Sequence, residues 1–205
     1  MDQSIADFYK TVTKRGFART NLFRIKSISR NGATSSDIYQ PSADGSDNLF
    51  LYNQDGTIPS RSISTTTVDF KTFKYTVPMV ANYPDSSSWT VTFYCDRDYK
   101  LRNIFEKWSV DTFDEHTSLS NVPNWWDCNI ELELLTNSGS QFVPAKTRST
   151  TPPKQPYAIR KYILVGAFLQ SVGTMTYETK SGGEIAKLTA NIGYQYVTSQ
   201  DLIQP

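Results

Sequence analysis

Strict period-two alternation recurs along this chain, separated by turn residues, and never settles into a strand–helix–strand rhythm. "CNIELELL" sets Ile130, Leu132 and Leu134 against Glu131 and Glu133, and "WTVTFYC" sets Trp89, Val91, Phe93 and Cys95 against Thr90, Thr92 and Tyr94. In Ile185–Val197, Leu188, Ala190, Ile192, Tyr194 and Tyr196 oppose Lys187, Thr189, Asn191, Gly193 and Gln195. Successive side chains of a strand point to opposite faces, so each run reads as a strand with one face on a core and the other on solvent. Further strands are expected within Phe17–Ile28, at Val68–Val77, at Ala158–Phe168 and at Met175–Thr179, and after the turn "TNSGS" at Gln141–Ala145. One helix is clear: Leu101, Ile104, Phe105 and Trp108 share a face, with Asp96 or Asp98 placed to cap it. A shorter amphipathic segment opens at Ser4, sets Ile5, Phe8 and Val12 on one face, and stops at Gly16. The sum is a mainly β fold, a β-sandwich or barrel with one flanking helix and long loop insertions.

The 205 residues suit a single domain, residues 1–205, interrupted by insertions at 29–67 and 109–128. The first insertion is rich in Ser, Asp, Asn and Gly, yet carries Leu49, Phe50, Leu51 and Tyr52 ahead of Asp55-Gly56, a hairpin turn signal. Apolar residues in a polar loop suggest an arm that docks on another subunit, and these four are the candidate contact residues; a hairpin folded onto its own domain is the alternative. A proline-rich linker follows at 150–156. No apolar signal region opens the chain and no run of 18 apolar residues occurs, so a soluble protein without membrane insertion is expected. In that setting Cys95 and Cys128 read as reduced core thiols rather than a disulfide. A formal charge of +1 rules out a nucleic-acid clamp built on charge alone.

Residue patterns that carry chemistry are sparse. His116 is the single histidine, and "DTFDEH" gathers Asp111, Asp114, Glu115 and His116 without the spaced oxygen ligands and central glycine of a calcium loop. No nucleophile elbow, P-loop, dinucleotide fingerprint or CxxC pair is present. Trp125-Trp126 could stack on a sugar, but neighbours on a strand point opposite ways. Glu131 and Glu133 share a strand face as solvated or channel-lining charge. No catalytic residue, cofactor or metal is therefore expected.

Three stretches in order carry a family resemblance. "YILVGAFLQSVGTMTYETKSGGEIAKLTANIGYQYV", Tyr162–Val197, resembles the C-terminal part of tail tube proteins of contractile-tailed bacteriophages. There a strand ends in V-G-A-F, a short connection leads to a V-G-E-hydrophobic step, and a strand pair closes on an alternating run. Phe17-Ala18-Arg19-Thr20-Asn21-Leu22-Phe23 is similar to the family's F-A-R-P-N-L-F, with Thr20 in place of proline. "WTVTF" followed by a capped helix ending at Trp108 resembles a third family stretch. "ANYPDSSS" before Trp89 departs from the family's A-G-D-R-type turn, as do the two enlarged insertions.

The resemblance implies a structural virion protein whose six-subunit rings stack into the inner tail tube, the conduit for DNA ejection inside a contractile sheath. It implies as partners further copies of itself, the sheath, baseplate and tail terminator proteins, and the tape measure protein and transiting DNA in the lumen, with assembly in the host cytoplasm. The alternatives are the baseplate protein that starts the tube, a secretion-system tube and, from other classes, a carbohydrate-binding module using Trp125-Trp126 or a hydrolase around His116. A closed barrel of about 24 strands, spaced about 4.8 Å and tilted about 40°, is roughly 48 Å across its backbone, wide enough for duplex DNA. On this reading the lumen is neutral to acidic and Glu131 and Glu133 are the candidates to face it; the competing placement puts both on the outer wall, paired with basic residues of the sheath. Val165–Met175 becomes a corner at which Gly166 and Gly173 let backbones pass closely.

Overall fold

The computed structural model describes residues 5–15, 17–30, 38–39, 48–114, 117, 119–120, 128–136, 157–175 and 184–202. Among the described residues there are two α-helices, α1 (Ile5–Arg15) and α2 (Lys100–Thr112). The strands are β1 (Phe23–Arg30), β2 (Asn53–Gly56), β3 (Ser62–Phe70), β4 (Phe73–Asn82), β5 (Trp89–Tyr94), β6 (Phe113–Asp114), β7 (Leu119–Ser120), β8 (Cys128–Thr136), β9 (Tyr157–Val172), β10 (Lys187–Gly193) and β11 (Tyr196–Asp201). This is the mainly β architecture with a flanking helix that the alternation implies.

β9 joins the two halves of a sandwich. Its first part pairs with β8 on one side and β11 on the other, through Ile130↔Leu164 and Val197↔Leu164. Its last part pairs with β10 through Phe168–Val172. One sheet therefore runs β1-β8-β9-β11 and the second β9-β10-β5-β2, all antiparallel. The strand bends at Gly166, whose φ of 67° lies in the left-handed region that a side chain disfavours. Beyond it, Gly173 presses on β10: a Cβ there would sit 2.9 Å from the carbonyl oxygen of Thr189, which accepts from the Gly173 amide. The expected close passage exists at Gly173, while Gly166 is marked by its backbone conformation, and the strand continues to Val172 instead of stopping at Phe168. Met175 lies outside any strand, and 176–179 of the expected run fall outside the described residues.

The inward rows of both sheets form one core. Ile25, Ile28, Ile130, Leu132 and Leu164 face Trp89, Val91, Phe93, Leu188, Ala190 and Ile192. α2 covers it with Leu101, Phe105 and Trp108 buried, and Phe105 stands 5.6 Å from Phe93, ring centre to ring centre. Asp96 fulfils the capping role, its carboxylate accepting from the amides of Lys100 and Leu101. Arg30 of β1 pairs with Asp111 near the end of α2 at 3.1 Å. Cys95 and Cys128 form no disulfide.

Four expectations change. The run 185–197 is two strands: the chain breaks at Tyr194-Gln195, where their amides bond Ser86 and Val165, and crosses from one sheet to the other. The strand expected at Val68–Val77 is a hairpin, β3 and β4, turning at Lys71 with φ 54°. Asp55-Gly56 is no hairpin turn but the end of β2, hydrogen-bonded along β5. Leu49–Tyr52 forms a short 3-10 helix, capped by the Asn48 side chain on the Phe50 amide. The second insertion holds the last turns of α2 and the small β6–β7 pair. Glu115, His116, Trp125, Trp126, the expected strand 141–145 and the linker 150–156 lie outside the described residues.

Docking of α2 has a direct check. Phe105→Ala should cost about 3–5 kcal/mol in urea unfolding, the usual loss for a fully buried aromatic. Lys107→Ala, on the exposed face of the same helix, should change stability by less than about 0.5 kcal/mol. Equal effects would contradict the packing.

Candidate assembly surface

The connection from β2 to β5 leaves the sandwich. β3 and β4 pair with each other and form a separate two-stranded sheet. Both strands are exposed throughout. Ile63, Val68, Phe70, Phe73, Tyr75, Met79 and Val80 all stand open, Phe73 at 65% and Met79 at 64%. A two-stranded hairpin has no buried face of its own, so side chains this apolar are stable only against another surface. Its root is fixed. The amide and hydroxyl of Ser60 both donate to the Asp85 carboxylate, at 3.1 and 2.6 Å. Those bonds hold the Asp85 carboxyl below its ordinary value, so the tie is complete at neutral pH and is lost on acidification through that lowered value. The Trp89 indole donates to the Thr57 carbonyl at 2.9 Å, securing the other stem.

A second surface is the outward face of the sheet β1-β8-β9-β11. The antiparallel register puts Arg24, Glu133 and Lys161 in one row. Arg24 Nε donates to Glu133 Oε2 at 2.7 Å, Lys26 lies 3.4 Å from Glu131 and 3.5 Å from Glu133, and Lys161 donates to Glu131. The carboxylates therefore stand among three cations instead of forming an acidic strip, and Glu133 is buried beneath them. The outward face of the other sheet is uncharged where Thr90, Asn191 and Ser171 hydrogen-bond in line.

The expected contact arm divides. Leu49 is 6% exposed and Phe50 2%, with the Phe50 ring between Tyr39 and Phe93 at 4.8 and 6.2 Å. They belong to the subunit's own core, because the 3-10 turn aims them inward, and the docking-arm expectation is corrected for them. The side chains of Leu51 and Tyr52 lie outside the described residues. An exposed apolar surface lies instead on β3–β4, in a stretch whose Ser/Thr-rich composition hides it. The three cations around Glu131 and Glu133 were also missed, since Arg24 lies 109 positions from Glu133 and only register brings them together. Among the described residues no group of three or more His, Cys, Asp and Glu is placed to hold a metal, and no helix is long and apolar enough to cross a membrane.

A family model described as phage tail tube protein matches residues 18–199. No curated protein matches the sequence. Among solved structures, a chain of the anti-feeding prophage baseplate, 6-fold symmetrised, superposes with a TM-score of 0.54 at 12% identity, covering 91% of this chain and 97% of that one. A chain of the anti-feeding prophage tube terminating cap is 13% identical with a TM-score of 0.48, over 90% and 91%. A chain of an extracellular contractile injection system, from a sheath–tube complex in the extended state, is 13% identical with a TM-score of 0.46, over 98% and 100%. The baseplate chain shares the fold.

The charge lattice predicts a salt-sensitive contribution to stability. Glu133→Gln removes a carboxylate that accepts a charged hydrogen bond, and should cost about 1–3 kcal/mol in urea unfolding at low salt. Since Arg24 and Lys26 are 44% and 51% exposed, the loss should shrink at about 1 M salt, where screening is strong. Lys74→Gln, whose pairing with Asp69 is exposed at 3.9 Å, should change nothing measurable. A Glu133 effect indifferent to salt would contradict the paired arrangement.

Proposed function

The chain belongs to the phage tail tube protein family, and on that premise we propose that it is the structural subunit of an inner tail tube. Copies close into six-membered rings, rings stack, and the channel conducts DNA inside a contractile sheath. Its partners are further copies of itself, the sheath around the tube, baseplate and terminator proteins at its ends, and the tape measure protein and DNA within it. The tube is a virion component assembled in the host cytoplasm, and its role is structural, not catalytic.

The observation that carries this reading is the exposed β3–β4 hairpin. Each large apolar side chain fully removed from water contributes about 1.5–3 kcal/mol, so the row from Ile63 to Val80 supplies a driving force for association that the monomer leaves unused. Sheet order supports ring closure. In β1-β8-β9-β11 each neighbour is antiparallel, so the end strands β1 and β11 run in opposite directions. β11 of one copy beside β1 of the next continues the same ladder, and a closed ring leaves no open edge. Toward its C-terminal end β1 bridges Tyr39 through Ile28, which leaves the half near Phe23 for that contact. The outward face of this sheet is the proposed lumen wall. There Glu131 and Glu133 stand against Arg24, Lys26 and Lys161, near enough to balance that a passing polyanion is neither held nor blocked.

Sedimentation velocity and negative-stain microscopy test the reading. The wild-type chain should form rings or tubes alone or when seeded by baseplates. Phe70→Ser with Phe73→Ser should abolish assembly while leaving monomer stability within about 1 kcal/mol, because both side chains are exposed in the subunit. A wild-type chain that stays monomeric at high concentration with baseplates present would overturn it.

A further inference from the structure

The strand path β1-β8-β9-β10-β5-β2 ends at β1 and β2, and between those ends the sandwich is open. A cavity of about 450 Å³ fills the gap, lined by Leu22, Phe23, Leu135 and Ile159 from one sheet and by Thr57 and Ile58 beyond β2 from the other. The lining is mainly apolar, the usual character of a pocket that holds side chains of a partner. Arg19, Thr20, Asn53, Thr57 and Glu133 interrupt it, and of these Asn53 has an orphaned amide. Asn53 is among the lining residues, and both its side-chain nitrogen and oxygen are buried without a hydrogen-bond partner among the described residues. Leaving a buried amide unpaired is costly. An occupant that relieves it must offer a donor and an acceptor together with apolar side chains, which is what the edge of an extended chain presents.

The molecule carries one such object. Among the described residues each strand of the β3–β4 hairpin pairs only with the other, so both outer edges present peptide groups that no described strand takes up, and Phe70 and Phe73 stand paired at the tip. We propose that the cavity between β1 and β2 receives the tip of this hairpin from a second copy of the chain, with Phe70 or Phe73 in the apolar gap and the Asn53 amide on the incoming backbone. The inference rests on the self-assembly reading above and supplies the receptor that reading lacks. The hairpin is rooted just past Thr57 and Ile58, the lip of the cavity, and β3 carries its tip on the order of 25 Å away. A tip held that far from its own root cannot fill its own gap, so the donor is another subunit. A knob on one copy that enters a different patch on the next repeats head to tail, as an extended assembly requires.

Disulfide trapping between full-length chains tests this. F73C and L135C proteins are prepared separately, mixed under assembly conditions, oxidised and analysed on non-reducing gels with mass spectrometry. Seating of the tip predicts a mixed dimer at least about tenfold more abundant than F73C gives with T198C on exposed β11, because docking raises the local thiol concentration. I58W, a change at the half-exposed lip that narrows the gap, should raise the concentration needed for assembly at least about tenfold with thermal unfolding of the monomer unchanged. A mixed dimer no more abundant than the control, while the Phe70 and Phe73 variants still abolish assembly, would overturn the cavity as receptor and leave the self-assembly reading standing. Phe70 and Phe73 variants that still assemble, together with a mixed dimer no more abundant than the control, would overturn both. An intrachain disulfide in dilute F73C/L135C protein would show the hairpin seated in its own subunit and would equally refute the proposal.

Discussion

One strand shared by two sheets organises this molecule. β9 supplies the centre of one sheet and the edge of the other, so the core between them closes only if the strand bends, and it bends at Gly166, the position with left-handed φ. Everything positioned for function hangs on that bend. It sets β11 beside the first part of β9 and β10 beside the last, which fixes the four-strand order of each sheet and leaves β1 and β2 as the ends of the strand path. The gap between those ends, the charge lattice on one outer face and the hairpin rooted beyond β2 are consequences of where β9 changes sheets.

The subunit divides its apolar residues between two environments. Trp89, Val91, Phe93 and Phe105 are fully buried, while the hairpin row from Ile63 to Val80 stands in water. A monomer gains nothing from the second set, and an extended assembly gains a great deal. The same division appears in polar groups. Glu133 is buried but met by Arg24 and Lys26, whereas the buried Asn53 amide meets no partner among the described residues. Hydrogen-bonded charge inside one subunit and an orphaned amide beside an open cavity point to different futures on assembly, the first unchanged and the second completed.

Much of this was legible in the residues. The alternation in Trp89–Cys95 and Cys128–Leu135 reports a half-buried strand directly, and the spacing of Leu101, Phe105 and Trp108 reports the docked face of α2. The glycines of "VGAFLQSVG" flagged a close passage at Gly173 and a left-handed backbone at Gly166. What the residues hid were breaks without turn signals. Phe70-Lys71-Thr72-Phe73 turns through a lysine with positive φ, and Tyr194-Gln195 breaks a run whose alternation continues across it. Leu49 and Phe50 misled for the opposite reason: a polar neighbourhood suggested an exposed arm, yet tertiary packing against Phe93 took them inside. Pairings set by register, such as Arg24 with Glu133, cannot be read from local pattern at all.

Cryo-EM of the assembled particle tests the central claim, that the hairpin exposed in the subunit is the element that joins subunits. The account predicts density for β3–β4 of each copy lying against a different copy, with Phe70 and Phe73 buried there and the sandwich unchanged. Hairpin density packed on its own β5 and β10, or left in solvent between subunits joined elsewhere, would contradict it.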